Sequence, residues 1–157
     1  MDQKTLNYLF KNNLLEVATE NKRDYTEEEK QYINSRRVKD YNSLPDCVKE
    51  VVNHLSNNYE DIEEIYAVGS LVNGTYMYEY DEYLNKIRIE CKIKKDGKIS
   101  DIDLYIPNYN TTLLPNKASN GLNVEYLINT YQHLRDAVIV YKRTIEDVTD
   151  NKQKRLK

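Results

Sequence analysis

Tryptophan is absent from this chain, phenylalanine occurs once, and cysteine and histidine occur twice each. Two isolated cysteines, Cys47 and Cys91, make neither a disulfide framework nor a zinc site. Both are expected as ordinary reduced thiols in a cytosol-like compartment. His54 and His133 fall in helical patterns without a Cys, His or carboxylate at ligand spacing, so structural or surface roles are expected for them. No apolar run approaches the ~18 residues that span a bilayer. The polar start Met1-Asp2-Gln3-Lys4 does not read as a signal peptide. The expectation is a cytoplasmic protein without a membrane partner. An excess of positive charge is also lacking: 23 Lys and Arg stand against 26 Asp and Glu, a net charge of −3. Nucleic acid is therefore not indicated as a partner by net charge, and any site for a polyanion must be a local patch. Internal repeats are absent.

What the chain has in plenty is tyrosine. Fifteen tyrosines with abundant Asn, Lys and Ile suggest AT-rich coding, as in many bacteria and their phages. A length of 157 residues fits one domain with a single core, 1–157. Its helical N-terminal part should occupy 1–60. Leu6, Leu9, Phe10, Leu14 and Val17 have the spacing of an amphipathic helix over Lys4 to Thr19. Thr26 precedes Glu29 by three, a capping-box pattern with acidic Glu27 and Glu28 between them, which predicts a helix to about Val38. Ser43-Leu44-Pro45-Asp46 predicts another helix start with Ser43 as cap, after which Val48, Val51, Val52, Leu55 and Tyr59 share one face.

The stretch from Ile65 to Ile106 organises the rest. Ile65-Tyr66-Ala67-Val68 is an apolar, β-branched run that stops at Gly69-Ser70, with Gly74 soon after, as where a strand turns into a helix or loop around a phosphate. Ile99 to Ile106 alternates, so Asp101 and Asp103 leave one face of a strand and Ile102 and Leu104 the other. Asp96-Gly97 between two alternating runs predicts a hairpin. Its register sets Ile87 against Ile106, Ile89 against Leu104 and Cys91 against Ile102 on one face. On the other face Glu90 meets Asp103 and Lys92 meets Asp101. The expected sheet core, 62–106, uses strands 62–68, 76–83, 86–94 and 98–106.

Asn108 to Gly121 reads as a long loop, a type of segment that is often functional. Val124, Leu127, Tyr131, Leu134, Val138, Tyr141 and Ile145 then repeat at steps of three and four. They predict a long helix over 122–147, either packed on the sheet or forming a coiled-coil seam, followed by a basic tail, 148–157. Protein partners are expected to bind through the Val124 to Ile145 helix and this tail. The expected fold class is α/β (α+β), a small mixed β-sheet with N-terminal helices and a long C-terminal helix.

Gly69, Ser70 and Gly74, followed by Ser100, Asp101, Asp103 and Leu104, resemble the signature of the nucleotidyltransferase superfamily, which includes DNA polymerase β and the minimal nucleotidyltransferases of bacteria. The resemblance covers Val48 to Ile106. It implies a Mg²⁺-dependent enzyme that transfers a nucleoside monophosphate from an NTP to a hydroxyl acceptor. Asp101 and Asp103 would hold the metal, and Gly69, Ser70 and Gly74 the nucleotide. Two departures stand out. Leu71 and Asn73 occupy positions where family members often carry Arg, and 32 positions separate Gly69 from Asp101, longer than the resemblance leads one to expect.

Carboxylates at i and i+2 suit a shared divalent cation, and nucleotidyl transfer needs at least two of them. The resemblance implies a third on a neighbouring strand. The hairpin register offers Glu90, making Asp101, Asp103 and Glu90 the candidate catalytic set, while Glu125, in the heptad pattern, is set aside. Three carboxylates on one face repel one another unless a cation joins them. Alternatively, Lys92 opposite Asp101 and Arg88 diagonal to Asp103 form a solvated ladder of cross-strand pairs. Lys92 then either grips a nucleotide phosphate or neutralises the site. Beside the enzyme stand a non-catalytic nucleotidyltransferase-like module of a larger assembly, such as a phage virion, and a restriction-like nuclease, from Asp81 and Glu90-Cys91-Lys92.

Overall fold

Helix α2, Asp46–Asn58, lays Val48, Val51, Val52 and Leu55 against the inner face of a four-stranded sheet. The computed structural model describes residues 23–93, 97–128 and 135–143. The Lys4 to Thr19 helix, His133 and the basic tail lie outside the described residues. Ahead of α2 comes α1, Glu27–Arg36, whose capping box forms as its sequence predicts. Thr26 Oγ1 accepts from the Glu29 N–H, and Glu29 Oε1 accepts from the Thr26 N–H. Ser43 does not cap α2: it belongs to a 3₁₀ turn, Tyr41–Ser43, and exchanges hydrogen bonds with Asp40. Pro45 precedes the first turn of α2, and no side chain caps it.

The sheet is mixed, with order β3-β2-β1-β4. Strand β1 is Glu64–Ala67, β2 is Ile102–Tyr105, β3 is Val124–Tyr126 and β4 is Val138–Lys142. β1 pairs antiparallel with β2, Tyr66 facing Tyr105 and Ala67 facing Leu104. β3 runs parallel to β2, and β4 pairs antiparallel on the other side of β1, with a register shift between Ile65 and Tyr66. Alternation along β1 and β2 sends Ile65, Ala67, Ile102 and Leu104 into the core and leaves Tyr66, Asp103 and Tyr105 half-buried on the opposite face. Burying each core Val, Leu or Ile contributes about 1.5–3 kcal/mol, so the α2 stripe and these four strand residues dominate the stability of the sheet.

Two expectations are corrected here. Strands 76–83 and 86–94 do not form: Glu82–Glu90 is a helix, α4, capped by Asp81, whose Oδ1 accepts from the Leu84 N–H. The hairpin register fails with it, because β2 pairs with β1 and β3. The helix over 122–147 is also overturned where it is described, since Val124–Tyr126 and Val138–Lys142 are strands. Between β1 and α4 lies the short helix α3, Ser70–Asn73. Ile33, Met77, Leu84, Ile87 and Cys91 form a second, smaller apolar cluster that joins α1 to α4. The 97–100 segment docks on α4 through Gly97 N–H to Asn85 Oδ1, 2.8 Å, and Arg88 Nη2 to the Lys98 carbonyl, 3.1 Å. Among the described residues no helix is long and apolar enough to cross a membrane.

Candidate functional site

The end of β1 is shaped by two glycines. Gly69 has φ +66° and ψ −132°, a conformation that side chains strain to adopt, and it turns the strand directly into α3. A Cβ at this position would stand 3.0 Å from Asp103 Oδ2, so the absent side chain is what lets the Asp103 carboxylate lie against the turn. The Val68 N–H donates to the Asp103 carbonyl at 3.3 Å, which fixes the two segments side by side. Gly74 ends α3 in the left-handed region, φ +82°, and packs against the Ile33 carbonyl. Its role is to bring α1 and α3 together. Ser70 is half-buried and opens α3, with no side-chain cap from Gly69.

Of the motif on β2, Ser100 is buried and structural: its Oγ accepts from the Met77 N–H at 2.9 Å, and its own N–H donates to the Met77 carbonyl at 2.8 Å. This two-way tie holds the 75–81 segment beside the entry to β2. Asp101 is exposed and Asp103 half-buried. The parallel register places Glu125 of β3 directly beside Asp103, on the same face of the sheet and about one strand spacing, ~4.8 Å, across. Neither Asp101 nor Glu125 is held in an ion pair among the described residues.

The structure thus joins Gly69, Asp103 and Glu125, three residues distant in sequence. It does not join Glu90 or Lys92 to Asp103 and Asp101 by the expected pairing. Glu90 ends α4 and accepts from Arg23 Nε at 3.3 Å. Lys92 follows in the turn after α4, exposed and with φ +56°. The nuclease pattern fails for the same reason, because Glu90-Cys91-Lys92 closes a helix instead of lying on a strand, and Asp81 is bound by Tyr32 Oη and the Leu84 N–H. Glu125 is the residue that sequence reasoning set aside, and the Val-Glu-Tyr alternation of β3 was too short to outweigh the heptad spacing.

A cleft of about 730 Å³ opens between Arg36, the start of α2 at Asp46 and the segment from Tyr76 to Asp81, and neither Asp101, Asp103 nor Glu125 lines it. Its wall carries Tyr76 and Tyr78, stacked with centroids 5.4 Å apart and planes 24° apart. Arg36 of α1 lies over the Tyr76 ring of this pair, 4.5 Å from its centroid, while donating to the Tyr76 carbonyl at 2.6 Å and the Gly74 carbonyl at 3.3 Å. Tyr78 links the cleft to the strand. Burial raises its pKa, and the neighbouring Cys47, Asp103, Tyr76 and Asp101 push it in the same direction. Its hydroxyl is enclosed and has no hydrogen-bond partner among the described residues.

For Mg²⁺ the oxygen donors of Asp101, Asp103 and Glu125 are of the right kind, because that ion favours one or two carboxylates with water and substrate phosphate completing the shell. Among the described residues no group of three or more His, Cys, Asp or Glu side chains converges as a ready-made cage. A pair of carboxylates beside an open turn is what the chain presents. No family model, curated protein or solved structure matches the chain.

Proposed function

We propose that the chain is a metal-dependent nucleotidyltransferase, moving a nucleoside monophosphate from an NTP to a hydroxyl acceptor. The observation that carries this reading is the approach of the Gly69 turn to Asp103, at 3.0 Å from a Cβ that glycine lacks, with Glu125 in register beside it. Three carboxylates on neighbouring positions of one sheet face are mutually repulsive, an arrangement that a bound cation relieves. Asp101 and Asp103 would hold Mg²⁺, with Glu125 in register beside Asp103. When bound, that ion offsets the negative charge of the triphosphate. The Ser70 hydroxyl and the first turn of α3 face the phosphates. In the transfer the acceptor oxygen bonds to the α-phosphorus, the bond from that phosphorus to pyrophosphate breaks, and the acceptor proton passes to a carboxylate of the set.

The test is calorimetry of Mg²⁺ with a non-hydrolysable NTP, on the intact protein and on the Asp101→Ala, Asp103→Ala double variant. Metal-dependent binding by the first and not the second supports the reading. Absence of binding by both, with both folded, sinks it. A second reading, a non-catalytic module of an assembly, draws on Leu71: where a cation would help a triphosphate, this side chain is fully buried in the core. Under that reading Asp101 and Asp103 can be replaced without changing any ligand response.

A further inference from the structure

The long loop that follows β2 has no part in the proposed reaction, yet its backbone is firmly pinned. The Ala118 N–H donates to the Leu122 carbonyl and the Val124 N–H to the Asn116 carbonyl, each at 2.8 Å, and Tyr126 Oη donates to the Pro115 carbonyl at 2.8 Å. Asn120 Nδ2 ties the loop to α2 by donating to the Cys47 carbonyl at 3.1 Å. Between this loop, α2 and β3 lies a cavity of about 300 Å³, at the small end of ligand sites. Its floor is apolar: Val51, Leu55 and Val124 are buried, with half-buried Tyr126 beside them. The parallel register puts Val124 and Tyr126 next to Ile102 and Leu104 on the core face, whereas Glu125 lies with Asp103 on the other. This cavity and the carboxylates therefore belong to opposite faces of the sheet.

Two opposite charges border the same floor. Glu50 of α2 and Lys117 of the loop are both exposed, and neither forms an ion pair among the described residues, with the other or with a third group. Glu50 has a contact of 3.5 Å from Asn120 Nδ2. His54 adds a donor to the lining: Asn58 Nδ2 donates to His54 Nδ1 at 3.2 Å and to the His54 carbonyl at 2.8 Å, which leaves the proton of the neutral ring on Nε2. One negative and one positive group around an apolar floor are the charge complement of a zwitterion with an apolar body. A ligand of single charge meets a repulsive neighbour as well as an attractive one, and an uncharged one leaves both groups unused.

We propose that this cavity binds a free aliphatic α-amino acid. The side chain of the ligand rests on Val51, Leu55 and Val124, its ammonium pairs with Glu50, and its carboxylate is held by Lys117 and His54 Nε2. Burial of the aliphatic part supplies the attraction, and the two charges supply the selection. Nothing in this proposal depends on the nucleotidyltransferase reading.

The test is a titration of the full chain with L-leucine, followed by amide shifts in NMR. Saturable shifts are expected at Val51, Leu55, Ser119 and Val124. Isopentylamine, which is leucine without the carboxylate, and isocaproate, which is leucine without the ammonium, should each bind about fivefold more weakly, the scale of one exposed charge contact. Glycine, which lacks the apolar body, should leave the spectrum unchanged. Glu50→Gln and Lys117→Gln replace exposed side chains, and the spectrum itself verifies that the fold is kept. Each should weaken leucine binding about fivefold, with crossed effects on the analogues. Glu50→Gln weakens isopentylamine but not isocaproate, and Lys117→Gln does the reverse. A merely structural role for either side chain would change both analogues alike. No saturable response to leucine, an equal response to glycine, leucine binding unchanged in both variants, or analogues that fail to cross each overturns the proposal. So does leucinamide binding as tightly as leucine, which would make the occupant a peptide N-terminus. Because the cavity lies on the face opposite Asp103, the leucine response should persist in Asp101→Ala, Asp103→Ala, whatever that variant does with Mg²⁺ and nucleotide; its loss there, with the fold kept, also overturns the proposal.

Discussion

Gly69 and Gly74 flank the same four-residue helix, yet their substitution should be felt in different places. At Gly74 a Cβ would stand 2.3 Å from the backbone carbonyl of Ile33, and backbone cannot move aside cheaply. Left-handed strain and the clash together predict that Gly74→Ala costs about 2–4 kcal/mol. Chemical denaturation checks this through a lower midpoint at unchanged slope. At Gly69 the facing atom is the Asp103 carboxylate, a side chain that can rotate away. Gly69→Ala should therefore cost mainly the strain, about 1–2 kcal/mol, and displace Asp103 from the turn. Its clearer signature is weakened Mg²⁺ and nucleotide binding in a protein that still folds. If Gly69→Ala unfolds the chain while Gly74→Ala is tolerated, the assignment of roles is reversed.

Among the elements, α2 shows how far sequence reaches. Its stripe of Val48, Val51, Val52 and Leu55 was legible because helical period and burial coincide, and Leu55, 1% exposed, makes the test simple. Leu55→Ala should cost about 2–5 kcal/mol, whereas Leu113→Ala, at a position 73% exposed, should lie within about 0.5 kcal/mol of the parent; thermal melts decide both. The strands β1 and β2 were legible on the same ground, and so were Asp101, Asp103 and the Gly69 turn.

What was not legible has a common cause, two periods in one stretch. Ile87, Ile89, Cys91 and Ile93 alternate like a strand, while Leu84, Ile87 and Cys91 step by three and four like a helix. The helix wins because Asp81 caps it and because those three side chains bury together with Ile33 and Met77. The reverse happened near the C-terminus. Heptad spacing ran through Val138-Ile139-Val140-Tyr141, whose β-branched run pairs along β1 instead. That one misreading hid Glu125, since a residue placed on a helix cannot be put in register with Asp103.

At the scale of the whole molecule, the described residues form two apolar clusters of unequal size, and the smaller is tied by charge. Arg23 reaches Glu29 through two contacts of 2.6 and 2.7 Å and Glu90 through one of 3.3 Å, so one guanidinium clamps the start of α1 to the end of α4. Hydrogen bonding from Arg23 first, then from the Thr26 N–H, holds the Glu29 carboxyl down at about 2, from an ordinary 4.5. A folded pKa below the unfolded one means stability that is complete above 4.5 and is lost as the pH falls toward 2. The loss should fall first on the α1–α4 unit, because Glu29 and Asp81, both held below the usual carboxylate range, belong to it. Amide exchange at about pH 6 and about pH 3, corrected for intrinsic rates, should show protection in α1 and α4 dropping more than in α2. In Glu29→Gln that difference should shrink, since the neutral amide keeps the Thr26 contact but has no proton to take up. Equal losses in all three helices would mean that the two clusters open as one, and that the clamp adds nothing the sheet core does not already supply.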